Sequence, residues 1–187
     1  MRNKELYQKV IEYFQTAMPV AETELHYSNP FELLIAVILS AQCTDKRVNM
    51  TTPALFERFP TPFEMAKATA EEIYPYIRSI SYPNNTARNL AGMARMLCEE
   101  FGGEVPSDLQ QMQRLPGVGR KTANLLLGDI YKRPGSVVCD THCIRICNLL
   151  GLASGKEPAK VEQQLRAILP PEESSDFCHR IVLHGRA

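Results

Sequence analysis

The sequence predicts an all-helical protein, and three observations carry that prediction. Apolar residues recur at helical spacing over Asn3 to Thr16, where Leu6, Tyr7, Val10, Ile11 and Phe14 form one stripe. The run Phe31-Glu32-Leu33-Leu34-Ile35-Ala36-Val37-Ile38-Leu39 is apolar almost all round, the pattern of a helix buried inside a fold. Val137 and Val138 have strand character, but two residues make no sheet.

The elements follow in order. After the first helix, Ser28-Asn29-Pro30 starts a second, with Ser28 or Asn29 as cap and Pro30 in the first turn. Ser40 to Asp45 is polar and ends it. Further helices are predicted over about 46–58, 62–67, 70–78 and 84–101, divided by proline or polar turns, and Gly102-Gly103 closes the last. Ser107 is placed to cap a short helix ending at Arg114. Leu115-Pro116-Gly117-Val118-Gly119 reads as a tight turn into a helix from Arg120 to Tyr131, and Lys132 to Ser136 as a loop. Asp140 or Thr141 caps a helix reaching Leu150, and Pro158–Ile168 and Ser175–His184 give two more.

Composition narrows the class. A chain of 187 residues forms one large or two small domains. No apolar run reaches bilayer length, and the alternating charges of Met1 to Phe14 are unlike a secretory signal, so a cytoplasmic protein without a membrane partner is expected. With no secretory signal, the six cysteines are expected as free, largely buried thiols; Cys139, Cys143 and Cys147 recur every four residues, as along one helical face. The formal net charge is zero, but between Gln113 and Arg145 six basic residues face only Asp129 and Asp140. That local excess of +4 can hold a phosphate backbone although the whole chain is neutral.

The segment Leu115 to Ala123 carries the sharpest signal. Two glycines in a short helix–helix turn let a backbone approach closely, and the next helix begins there with free N–H groups and the positive end of its dipole. Main chain of this kind binds anions, a phosphodiester among them. A plain helix–helix corner uses glycine too, to relieve strain.

This segment resembles the helix-hairpin-helix of the endonuclease III family of DNA glycosylases. Ser40-Ala41-Gln42-Cys43-Thr44-Asp45, Val138-Cys139-Asp140-Thr141-His142 and Leu183-His184-Gly185-Arg186 match further family signatures, in order, from about residue 28 to the C-terminus. The resemblance implies a two-lobed all-α fold with DNA and the active site between the lobes. One lobe would be 24–134, with the hairpin; the other would join 1–23 to 135–187.

The resemblance also implies roles. Lys121 matches the catalytic lysine. Burial, the cation of Arg120 and the helix N-terminus are expected to lower its pKa, since only the neutral amine attacks sugar C1′. Asp140 matches the essential aspartate, which can stabilise positive charge on the sugar or accept a proton; an N-cap role is the plainer alternative. Leu115, Gly117, Val118, Gly119 and Arg120 would meet the DNA backbone. Gln42 matches the residue that fills the space left by a flipped nucleotide. Tyr82, in Ile80-Ser81-Tyr82-Pro83-Asn84-Asn85, stands where relatives usually carry a leucine wedge, and would stack on a base instead. His142 would lie near DNA, and Gln113 would line the base pocket. Arg145 would reach phosphate, the plainer alternatives being a solvated face or an internal ion pair, and His184 and Arg186 would hold the second lobe together.

Family members usually continue past the His-Gly-Arg segment into Cys-x6-Cys-x2-Cys-x5-Cys, the ligands of a 4Fe-4S cluster. This sequence stops at Ala187, and none of its cysteines falls in that pattern, so the cluster loop is expected to be either truncated or lacking in a cluster-free branch. The implied function is a bifunctional glycosylase and AP lyase, acting as a monomer on double-stranded DNA with oxidised pyrimidines or abasic sites in base excision repair. Two rivals stand beside it: a mismatch or alkylbase glycosylase on the same fold, and a non-catalytic DNA-binding module. Lys121 speaks against the first, and Lys121 together with Asp140 against the second.

Overall fold

A computed structural model describes residues 2–19 and 23–186. Among the described residues every regular element is a helix: α1 (Arg2–Ala17), α2 (Pro30–Ser40), α3 (Asp45–Arg58), α4 (Pro62–Ala66), α5 (Ala70–Ile77), α6 (Pro83–Phe101), α7 (Leu109–Arg114), α8 (Arg120–Tyr131), α9 (Thr141–Leu149), α10 (Pro158–Arg166) and α11 (Ser174–Arg186), with a 3-10 turn at Pro171–Glu173. None is long and apolar enough to cross a membrane. The chain divides into two compact units, Glu24–Leu126 and Met1–Thr23 with Leu127–Ala187. The division falls inside α8, not in the Lys132–Ser136 loop.

In the unit Glu24–Leu126 the core is α2. Phe31 and every residue from Leu33 to Leu39 are buried, and each fully buried Leu or Ile contributes about 1.5–3 kcal/mol. Short polar side chains set the helix starts around it. Asn29, Thr44, Thr61, Thr69 and Asp108 each accept the N–H three residues on, and such a cap is typically worth about 1 kcal/mol. Asn29 thus caps α2, while the Ser28 N–H donates to the Glu32 carboxylate at 2.6 Å. The cap of α7 is Asp108, not the Ser107 suggested by sequence: Asp108 Oδ1 receives the Gln111 N–H at 3.0 Å. A charged acceptor at a helix N-terminus also gains from the dipole, which a hydroxyl cannot match. The long α6 packs on α2, α4 and α5.

In the other unit, α11 packs against α1 and α9. Phe14 stands edge-on to Phe177 at 6.2 Å and to His184 at 5.4 Å. Arg180 is buried, and donates through Nε to the Met18 carbonyl at 3.0 Å and through Nη1 to Glu173 at 3.2 Å. It thereby ties α11 to the segment after α1. His179 and Asp129 pair at 2.7 Å.

Candidate nucleic-acid interface and active site

The hairpin is built from the inside out. Leu115 and Val118 are buried, at 1% and 5% exposure, so their side chains hold the turn in the core. Gly117 has φ +84, and a Cβ there would lie 3.3 Å from both Asn89 and Ile38. Glycine is required at that position both for its backbone and for the approach of α6 and α2. Gly119 differs. Its φ is ordinary, and a Cβ would meet nothing within 4 Å. Its carbonyl accepts the Ala123 N–H at 2.9 Å, so α8 starts there. The N–H groups of residues 120–122 therefore have no carbonyl one turn back.

These two glycines make a prediction. Gly117→Ala should cost about 1–3 kcal/mol of stability, since a non-glycine residue must hold a left-handed backbone. Gly119→Ala should cost no more than about 1 kcal/mol, the loss of a tolerated cap, but weaken duplex binding by blocking close approach of a phosphate. Paired thermal melts and DNA titrations check this. Equal loss of affinity per unit of lost stability in both variants would refute it.

Lys121 is exposed, in the first turn of α8. The burial expected for it is not supplied by the chain. Helical periodicity explains why: Ala123, Asn124, Leu126 and Leu127 take the inward positions, at 0–2% exposure, which turns Lys121 outward. Gln113 is exposed on α7. Arg114, counted above in the basic stretch, is neutralised by an ion pair with Glu100.

Asp140 settles the choice of cap for α9. Its Oδ1 accepts the Cys143 N–H at 2.7 Å, with the backbone extended at φ −90 and ψ −178. The carboxyl is half-buried. Among the described residues, its second oxygen has no hydrogen-bond partner. His142 is half-buried beside α11, and a Cβ on Gly185 would lie 2.7–3.0 Å from its ring and Cβ. Arg145 donates to the Gly185 carbonyl at 3.3 Å. It is thus fastened to its own unit through main chain, and among the described residues it makes no ion pair.

Gln42 and Tyr82 come from loops 38 residues apart that Cys43 joins. The Cys43 sulfur accepts the Ser81 N–H at 3.2 Å and lies 3.4 Å from the Ser81 hydroxyl. Arg47 Nη1 donates to the Ser79 carbonyl at 3.1 Å. Gln42 is exposed, and Tyr82 is 69% exposed. Tyr82 holds φ 53 and ψ 52. A bulky side chain in this region costs about 1–3 kcal/mol, and the following Pro83 disfavours it further. The buried Ile80 and the Cys43 tie hold it in place. Sequence pattern gave no sign of this strain.

The thiols do not fit an iron–sulfur centre. Cys139, Cys143, Cys147 and Cys178 are all buried in one unit, with Cys143 and Cys147 sulfurs 4.0 Å apart. Cys139 precedes the Asp140 cap and so lies off the helix that carries the other two. Contacts with the Cys139, Cys147 and Cys178 thiols, and then burial, push the Cys143 thiol up. A metal ligand must instead be a thiolate. Among the described residues no group of His, Cys, Asp or Glu is arranged to hold a metal ion. Native protein should therefore expose only Cys43 and Cys98 to a thiol reagent, with the other four reacting after denaturation. Fast native modification of a third thiol would contradict the packing.

An all-helical chain in which a glycine turn presents main-chain donors ahead of an exposed lysine belongs to the helix-hairpin-helix class of DNA-repair proteins. Residues 35–171 match the family described as HhH-GPD superfamily base excision DNA repair protein. The chain is 42% identical over 169 residues to endonuclease III of Synechocystis sp., covering 90% of this chain and 77% of that protein. It is 44% identical over 168 residues to endonuclease III of Escherichia coli strain K12, covering 90% and 79%. The chain belongs to the endonuclease III family, and is a DNA glycosylase of base excision repair. Two solved structures, a trapped endonuclease III–DNA covalent intermediate and a non-covalent endonuclease III–DNA complex, each align with TM-score 0.92 at 41% identity, over 98% of this chain and 86% of theirs. A thermostable thymine-DNA glycosylase, at 20% identity and TM-score 0.81, shares the fold.

Proposed function

We propose that the chain is a bifunctional glycosylase and AP lyase that removes oxidised pyrimidines from duplex DNA. The observation that carries this is Lys121, an exposed primary amine in the first turn of α8, beside main-chain N–H groups suited to a phosphate. The covalent protein–DNA intermediate reported for the structural relative supports it.

The reaction needs few groups. The Lys121 amine, once neutral, attacks C1′ of the flipped nucleotide, and the C1′–N bond breaks with its electron pair leaving on the base. Asp140, through the oxygen not used in capping, stabilises the positive charge on the sugar and accepts the proton that the amine loses. The C1′ adduct opens to a Schiff base. Loss of a C2′ proton then expels the 3′ phosphate, which is β-elimination. Gln42 enters the vacated space and pairs with the orphaned base, while Tyr82 stacks beside it. Gln113 reads the edge of the extruded pyrimidine.

The test is borohydride reduction with duplex DNA carrying an abasic site or thymine glycol. A lyase becomes covalently trapped on both substrates. Release of base without an adduct would support a monofunctional glycosylase, and binding without either would support a DNA-binding module.

A further inference from the structure

Beside the Gln42 and Tyr82 loops, between α3 and α5, lies an open groove of about 610 Å³. Its lining includes Lys46, Arg47 and Arg78, with Ser79, Tyr76 and Met50, and no carboxylate. Among the described residues none of the three cations is in an ion pair. Arg47 spends one amino group on the Ser79 carbonyl, which fixes the guanidinium and leaves its other donors for a ligand. A solvated surface ordinarily mixes both signs of charge; a concave lining whose charged side chains are all cations is suited to phosphate.

The position of the groove tells which phosphate. Thr44 lines it and is two residues from Gln42, within about 7 Å of chain. Ser79 lines the other wall and is three residues from Tyr82, within about 11 Å. The Cys43–Ser81 bonds hold these ends together. Granting the reading above, Gln42 meets a base whose own strand is the one opposite the lesion. The surface behind Gln42 and Tyr82 then faces the backbone of that strand.

We infer that the α3–α5 groove is a second DNA-binding site, in which Lys46, Arg47 and Arg78 hold phosphodiesters of the undamaged strand. The inference rests on the glycosylase reading of the same surface. It adds a contact that the hairpin, placed for the lesion strand, does not make. The groove would favour duplex over single-stranded substrate, because only a duplex brings a second backbone within its reach.

Fluorescence anisotropy with a duplex carrying a tetrahydrofuran abasic analogue tests it. For Lys46→Ala/Arg78→Ala, the slope of log K against log salt should fall by about 2, and Kd should rise about tenfold near 0.1 M salt. Neutral methylphosphonate linkages provide the strand assignment. Placed opposite the lesion, they should weaken wild type strongly and the double variant little; placed in the lesion strand, they should weaken both equally. An unchanged salt slope in a variant with wild-type helicity and melting temperature would overturn the groove assignment. So would coupling of the two side chains to lesion-strand linkages only. Wild-type protein that gives neither base release nor a borohydride adduct would sink the glycosylase reading itself, whereas normal trapping with no groove effect sinks the groove alone.

Discussion

Lys121→Ala abolishes the borohydride-trapped adduct, while the melting temperature stays within about 1–2 °C of wild type. The second half follows from exposure. Lys121 projects from the first turn of α8 and takes no part in the core, and exposed substitutions of this kind change stability by about 0.5 kcal/mol or less. At this chain length 1 kcal/mol corresponds to about 2–4 °C. The first half is a claim about chemistry, and alanine alone does not isolate it, since alanine removes charge and amine together. Lys121→Arg separates them. Arginine keeps the positive charge and binds phosphate well, but its guanidinium does not lose a proton and cannot form the Schiff base. The expected result is near-normal affinity for an abasic duplex with no adduct. An arginine variant that still traps would move the nucleophile to another amine and leave Lys121 a phosphate ligand.

Much of the fold could be read from the sequence because its punctuation is local. The caps Asn29, Thr44, Thr61 and Thr69 and the prolines that follow or flank them mark helix starts by interactions three residues long. The hairpin was equally legible, since Gly117 needs a conformation that other residues avoid. What escaped depends on contacts between segments distant in sequence. The joining of the Gln42 and Tyr82 loops needs Cys43 and Ser81, 38 residues apart, and a lone cysteine in a polar turn carries no sign of its partner. The groove cations were invisible for the same reason: Lys46 and Arg47 face Arg78 only because α3 packs on α5. Lys121 shows a third kind of miss. The expectation of burial came from what the chemistry requires, whereas the inward face of α8 was already spelled out by Ala123, Leu126 and Leu127.

The second large effect is expected at Asp140. Asp140→Asn should reduce base release and strand cleavage by about 10²–10⁴-fold, the usual contribution of a positioned acid or base, with stability changed by only a few tenths of a kcal/mol. The two halves come from the two oxygens of one carboxyl group. Oδ1 holds the Cys143 N–H at 2.7 Å and starts α9. Asparagine offers the same oxygen and ranks with aspartate as an N-cap, so the helix is kept. The second oxygen is what changes, from a charged acceptor to an amide that donates. It can no longer neutralise a cationic sugar or take up the lysine proton. Asp140→Ala completes the comparison, because it loses the cap as well and should cost about 1 kcal/mol more than asparagine, or about 2–4 °C. If asparagine preserved activity and only alanine reduced it, Asp140 would be a cap and nothing more. If asparagine destabilised the protein as much as alanine, the loss of activity would report a disturbed α9. Only inactivity with an intact melting transition assigns the chemistry to the free oxygen, and the geometry of the cap makes that the expected outcome.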